Sequence, residues 1–304
     1  MAIQIRTVML IGAGGNLGPP VLGEFLKSSF DITVLARESS TSAYPTNTKV
    51  VKSNFSAYSL TGIFKGQDAV ISIVGPSAFT EQKKIVDAAI AAGVKIFIPS
   101  EYGSDTKNPK VLEIAPVLAG KRKLVEYLEQ QQDKITWTAL IPGLFADWGI
   151  THGFLQYDIP SKSAIVWDDG DVPVSQSTQQ QVGRALVAIL KHPSETANQY
   201  VYTSSYTVTA NEILTALEKV TGSKWKVEKI NLERALCAAK ERVAKGEVDL
   251  EVIRDLIRAA CFTKEAYCDF RKLSWNDRLG LKEESLEDVI KGLNRSNACG
   301  KMVE

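Results

Sequence analysis

The chain has 304 residues, 44% of them hydrophobic and 23% charged, with a net charge of +1. This length supports a large core in one large domain or two intimate ones, and the near-neutral balance, without a basic block, argues against a nucleic-acid partner. No apolar run reaches the ~20 residues that span a bilayer, Val8 to Ile11 is too short for a signal-peptide core, and four cysteines without a CxxC pair beside two histidines assemble no metal-ligand spacing. The expectation is a soluble, cytoplasmic, metal-free protein whose oligomeric state cannot be read.

In chain order, short β-branched runs alternate with longer amphipathic ones. Strands are expected at Thr7–Ile11, Ile32–Leu35, Lys49–Lys52, Ala69–Val74, Lys95–Pro99 and Trp137–Ile141, with helices at Leu17–Lys27, Tyr58–Phe64, Thr80–Ala92 and Val117–Gln131. Such alternation predicts a parallel sheet covered on both faces, and Val70 to Val74 is continuously apolar but for one serine, as a doubly buried strand should be. After Phe145 the rhythm breaks. Residues 146–175 read as loop, Thr178–Lys191 as a helix, Gln199–Tyr202 as a strand returning to the main sheet, and Asn211–Thr221 as a helix. From Trp225 the pattern is mostly helical and charged, closing with a helix at Glu283–Leu293. The organisation expected is a dinucleotide-type domain over 1–155, rejoined by 178–204, and a smaller, partly interleaved α-rich cap over 156–304 that binds substrate.

The stretch IGAGGNLGPP, residues 11–20, carries four glycines directly after the first strand and opens a helix. Gly12, Gly15 and Gly18 fall in a GxxGxxG spacing within a strand-helix-strand unit. One glycine permits the tight turn, the second lets backbone approach a pyrophosphate, and the third allows close helix-strand packing, with the helix N-terminus facing the anion. Gly14, Asn16 and Leu17 complete the expected phosphate loop. The second strand ends in Ala36-Arg37-Glu38-Ser39-Ser40. Where NAD sites place an acidic residue, Arg37 and its neighbouring hydroxyls suit a 2′-phosphate, so NADP(H) is favoured over NAD(H).

The segments GAGGNLG (12–18), VLAR (34–37), VISIVG (70–75), KIFIPSEYGSD (95–105), GKRKLVEYLEQ (120–130) and GLFADWG (143–149) together resemble the NmrA-like branch of the atypical short-chain dehydrogenases. Within that branch they are similar to the isoflavone reductase and pinoresinol-lariciresinol reductase group, whose PSEFG segment IPSEYG matches most specifically. The likeness is weakest between 225 and 275. It implies a Rossmann-type doubly wound parallel sheet, a nicotinamide-dependent reduction of a small, aromatic secondary metabolite (an enone, imine or benzylic ether), and a variable C-terminal cap. Some members of the branch instead bind dinucleotide as redox sensors without turnover.

The resemblance also implies roles for individual residues. Cofactor contacts fall on the glycine loop, Arg37, Ser39, Asn54, Ile73, Val74, Gly75, Ser100, Glu101 and Tyr102, the turn from Pro99 to Gly103 lying beside the nicotinamide. None of the nine tyrosines has a lysine four residues later, so the usual Tyr-x-x-x-Lys pair is absent, and the group's catalytic lysine maps to Lys121, which also serves the cofactor. Helical geometry agrees, since Lys121 shares a face with Leu124, Val125 and Leu128, whereas Lys123 aligns with polar Glu126 and Gln130. Glu101 and Tyr102 either assist or shape the turn. Tyr102, Phe145, Trp148 and Phe154, with Tyr157 nearby, either wall an aromatic substrate pocket or pack as plain core.

Overall fold

The computed structural model describes residues 4–75 and 81–300, of residues 296–300 the backbone alone; the expected helix start at Thr80 lies outside the described residues. The first half alternates as its sequence period demands: β1 (Thr7–Ile11), α1 (Gly18–Leu26), β2 (Asp31–Arg37), β3 (Lys49–Ser53), α2 (Ala57–Phe64), β4 (Ala69–Ser72), α3 (Gln82–Ala91) and β5 (Ile96–Ile98). A short α4 (Pro109–Ile114), capped by the Asn108 side chain, and a 3-10 turn at Pro116–Leu118 then lead into α5 (Ala119–Gln130) and β6 (Thr136–Ile141). The second half begins with β7 (Leu144–Phe145), α6 (Ala146–Thr151), β8 (Tyr157–Asp158), β9 (Ser163–Trp167), β10 (Val174–Ser177), α7 (Gln179–Lys191) and β11 (Gln199–Tyr202). It ends with β12 (Tyr206–Val208), α8 (Ala210–Thr221), β13 (Lys226–Ile230), α9 (Leu232–Ala244), α10 (Leu250–Phe262) and α11 (Leu286–Gly300).

Seven strands form one sheet in the order β11-β6-β5-β4-β1-β2-β3, every pairing parallel. Alternate residues of these strands enter two cores. Met9, Ile11, Leu35, Val70, Phe97 and Ile141 pack beneath α2, α3 and α5, against Leu60, Phe64, Ile85, Val125 and Leu128. Val8, Leu10, Val34, Ile71, Ile98 and Leu140 pack beneath α1 and α7, against Val21, Phe25, Val182, Leu186 and Ile189. Burying each such side chain contributes roughly 1.5–3 kcal/mol, and the strict alternation makes any one-residue slip of register exchange the two cores. The fold is Rossmann-type α/β, with helices on both faces of the sheet.

One expectation needs correction. Residues 146–175 are not loop: they contain α6, β8, β9 and β10. The region after Trp225 is mostly helical, as expected, but β13 within it pairs in parallel with β9 in a small sheet whose other strand is β8. Local pattern could not reveal this pairing. β9 finds its partner about sixty residues later, and β13 is largely exposed, so Lys226, Glu228 and Lys229 read as a charged surface. A second small sheet, β12-β10-β7, lies beside the end of β6. The α9–α10 hairpin packs on α4, where Val111, Ala115 and Leu118 meet Ala239, Val252, Leu256 and Ala260.

Candidate active site

A cleft of about 900 Å³ opens at the carboxyl ends of β1, β2 and β4, the position at which open parallel sheets bind ligands. Gly12, Gly14, Gly15, Arg37, Ser39, Asn54, Ile73, Val74 and Gly75 line it. The glycines differ in what requires them. Gly12 has φ +89° and a Cβ there would lie 2.6 Å from the Ile73 carbonyl oxygen; at Gly18 a Cβ would lie 2.2 Å from that of Ala13. Both are needed by the fold itself. A Cβ at Gly15 would touch only the Gly12 carbonyl oxygen, at 3.4 Å, and otherwise point into the cleft.

Backbone donors at this helix mouth are few. The Gly15 and Gly18 amides donate to Gly12 and Gly15 carbonyls within the loop, and Pro19 and Pro20 of the first turn carry no N–H. The amides of Asn16 and Leu17 lie between these spent positions, at the positive end of α1. Their carbonyl neighbour is anchored from outside: Gln179 Nε2 donates to Asn16 O at 3.0 Å, and the Gln179 amide donates to both carboxylate oxygens of Asp147 at 3.1 Å. Leu17 itself is buried in the core shared with α1 and α7.

At the opposite rim Arg37, Glu38 and Ser39 are exposed, and the segment after β2 returns Ser42 and Tyr44 over Gly14. Lys84 and Glu81, from the start of α3, join the same rim as an ion pair. Lys84 beside it, and Arg37 more weakly, hold the Glu81 carboxyl below its ordinary range. Sequence reading missed Lys84, Ser42 and Tyr44 because nothing local marks a helix-surface lysine or a loop hydroxyl as facing a cleft three elements away.

The turn after β5 adjoins the cleft through Val74, but Ser100, Glu101, Tyr102 and Lys121 are not among the residues that line it. Ser100 Oγ donates to the carbonyl of cleft-lining Val74 at 2.7 Å, and its amide donates to Gln82 Oε1. Lys121, in the first turn of α5, donates from Nζ to the Glu101 and Tyr102 carbonyl oxygens at 2.6 and 3.2 Å. Burial pulls its ammonium below the ordinary lysine range, the Glu101 carboxyl opposing that pull. Lys123 is exposed on the helix's other face. Glu101 and Tyr102 turn their side chains into the protein: Glu101 is 0% exposed, and Tyr102, 7% exposed, donates its hydroxyl to Ser72 O at 3.1 Å. The Tyr102 ring thus packs among core residues below β4, with burial pushing its phenol up.

The aromatic residues form a separate group. Phe145 leans partly buried on the core of α1 and α7. Trp148 stacks on His152 with ring centroids 5.0 Å apart, and Phe154 tilts against Trp148 while the Arg258 guanidinium lies 5.2 Å over its face. Arg258, only 1% exposed, also donates to the Phe154 and Gly153 carbonyls and pairs with Glu251 and Asp255. Tyr157 is core, its hydroxyl donating to Ala210 O.

Comparison with known proteins agrees with this geometry. The model of the NmrA-like family matches residues 4–269. The oxidoreductase aprR of Aspergillus flavus is 34% identical over 289 residues, covering 93% of this chain and 97% of that protein. An isoflavone reductase homolog, IRL, of Zea mays is 26% identical over 276 residues, covering 86% and 87%. Among solved structures, the leucoanthocyanidin reductase–NADPH complex from Vitis vinifera superposes with a TM-score of 0.78 at 19% identity, covering 95% of this chain and 99% of that one. Family match, relatives and fold together establish that the chain belongs to the NmrA-like family.

Proposed function

We propose that this protein is an NADPH-dependent oxidoreductase that reduces an electron-poor carbon of a small aromatic metabolite, with Lys121 as the proton donor. The observation that carries the reading is one continuous path of structure. Val74 lines the glycine-loop cleft, its carbonyl holds Ser100, and the next two carbonyls hold the Lys121 ammonium. The named activity of aprR and the NADPH held by leucoanthocyanidin reductase support it.

The residues present fit the dinucleotide. Gly15 presents no side chain to the cleft, the amides of Asn16 and Leu17 beside it would hold the diphosphate, Arg37 with Ser39 and Lys84 would hold the 2′-phosphate, and Asn54, Ile73 and Gly75 would bound the adenosine side. When bound, NADPH supplies the hydride. Lys121 gives its proton, directly or through a water it orients, to the atom that gains negative charge; a lysine with a depressed pKa is suited to that exchange near neutrality. Trp148, Phe154 and Phe145, which do not line the cleft, would be the aromatic group that meets the substrate ring.

Fluorescence titration with NADPH and NADH, followed by NADPH consumption against enones, imines and benzylic ethers, tests the reading. At least tenfold tighter NADPH binding is expected, the size of one charge-assisted phosphate pair, with turnover on one substrate class. Equal affinity for the two cofactors overturns the cofactor assignment. Binding without consumption of any panel member points instead to a dinucleotide-responsive regulator.

A further inference from the structure

Glu101 is a carboxyl that the fold has no structural reason to bury. Its side chain is fully enclosed, a placement that costs several kcal/mol for an ionised group left without a close counter-ion. Thr106 Oγ1 donates to Oε2, whereas Oε1 accepts no hydrogen bond among the described residues. Nearby, Arg122 Nη1 donates to the Tyr200 hydroxyl at 3.0 Å, while Glu126 and Glu129 pair with the same guanidinium.

We propose that Glu101 is a positioning residue for the reaction proposed above, its buried carboxylate setting the charge on Lys121, whose ammonium is bonded to the main chain of the turn that carries Glu101. The inference rests on Lys121 being the proton donor. Nζ is fixed to the Glu101 main-chain carbonyl at 2.6 Å, so the ammonium and the carboxyl of that residue are held in one geometry by a single backbone turn. Glu101 is fully enclosed and Lys121 partly buried, so water screens the pair less than it would an exposed one.

The groups facing Glu101 come from three directions. Lys121 and Arg122 on α5 and the Thr106 hydroxyl favour its ionised form; Asp105 on its own loop opposes it, and burial opposes it most. Tyr200 and Tyr202 of β11 feel its charge in turn, and Tyr202 donates to Asp105. The balance lifts the carboxyl to about 7. Glu101 therefore gains its charge across the neutral range, beside an ammonium that burial pulls below the ordinary lysine range. With the carboxylate present the ammonium persists to higher pH; without it, the pull of desolvation on Lys121 is less opposed. Removing the carboxylate must lower the Lys121 midpoint.

Lysine side-chain NMR of isotopically labelled, cofactor-free protein tests this without substrate, with the Lys123 resonance as internal reference and Lys121→Arg for assignment. In Glu101→Gln the Lys121 midpoint should fall by about one pH unit or more, a tenfold rise in neutral amine at fixed pH, while Glu101→Asp should restore most of the difference. Coupling is reciprocal, so in Lys121→Met the Glu101 carboxyl midpoint, followed by its carbon resonance, must rise by a similar amount. That second variant keeps the question open to test should Glu101→Gln fold poorly. Unchanged midpoints in either folded variant overturn the proposal. Because no cofactor is added, this result is independent of whether the chain reduces anything, and once a substrate is known the alkaline limb of kcat should move with the Lys121 midpoint.

Discussion

The rim of the cleft and the turn beside it are built on opposite principles. At the rim beyond β2 the charges of Arg37, Glu38, Glu81 and Lys84 stand near water, two of each sign, and the hydroxyls between them are free to reorient. At the turn after β5 a lysine, a glutamate and a tyrosine are withdrawn from solvent and held by main-chain carbonyls or a single hydroxyl. Exposed charges each contribute little and are screened by salt, whereas a desolvated ammonium alters its own proton affinity. The wet rim is thus suited to selecting a ligand and the dry turn to moving a proton.

The largest expected effect comes from the dry turn. Lys121→Ala should lower kcat by ~10²–10⁴, the usual contribution of a positioned proton donor, while leaving NADPH affinity within about twofold because no transition-state charge is involved in binding. Lys123→Ala, two residues on and exposed, should change kcat by less than about threefold on the same reasoning. Single-turnover rates and cofactor titration on the two variants measure both quantities. Equal losses at the two positions would erase the contrast between rim and turn.

Next in size is a contrast within the glycine loop. Gly15→Val should leave a folded protein that binds NADPH at least ~100-fold more weakly, since its side chain would enter the diphosphate's place. Gly18→Ala should fail differently: a Cβ 2.2 Å from the Ala13 carbonyl forces backbone apart at an overpacking cost of ~1–3 kcal/mol or more, visible as a lower melting temperature without ligand. If Gly15→Val unfolds the chain while Gly18→Ala does not, the division of labour drawn between these glycines is wrong.

How much of this was legible depended on the range of the contacts involved. Five of the six leading strands announce themselves through runs of three or four apolar residues, because a doubly buried strand needs no partner to show its character, whereas the edge strand β3 offers only Val50-Val51. Lys121 could be separated from Lys123 because a helix face is a local property. The small sheets were hidden, since β9 owes its existence to β13, and β13 bears mostly polar side chains. The cleft's lining was half visible: Gly15, Arg37 and Val74 lie in motifs, but Lys84, Ser42 and Tyr44 reach it only through tertiary placement. Tyr102 shows the same limit from the other side, because sequence placed it in the turn expected beside the nicotinamide and only packing shows its hydroxyl turned back on Ser72.

The smallest effects belong to the wet rim, and they decide whether its mixed charges act as a phosphate site. Arg37→Ala should weaken NADPH roughly tenfold, a single charge-assisted contact, and leave NADH nearly unchanged. Lys84 is already paired with Glu81, so Lys84→Ala should cost only about two- to fivefold, the range of an exposed charge. Glu81→Gln then makes the sharpest test, because it removes a negative charge beside the phosphate and releases Lys84 at once. It should tighten NADPH by roughly two- to threefold with NADH unmoved, and the gain should shrink as salt is raised toward ~1 M, where the screening length falls to about 3 Å. A Glu81→Gln variant that binds both cofactors equally better would show a general field at the cleft mouth, whereas a gain confined to NADPH ties Lys84 to the 2′-phosphate through the charge it no longer shares.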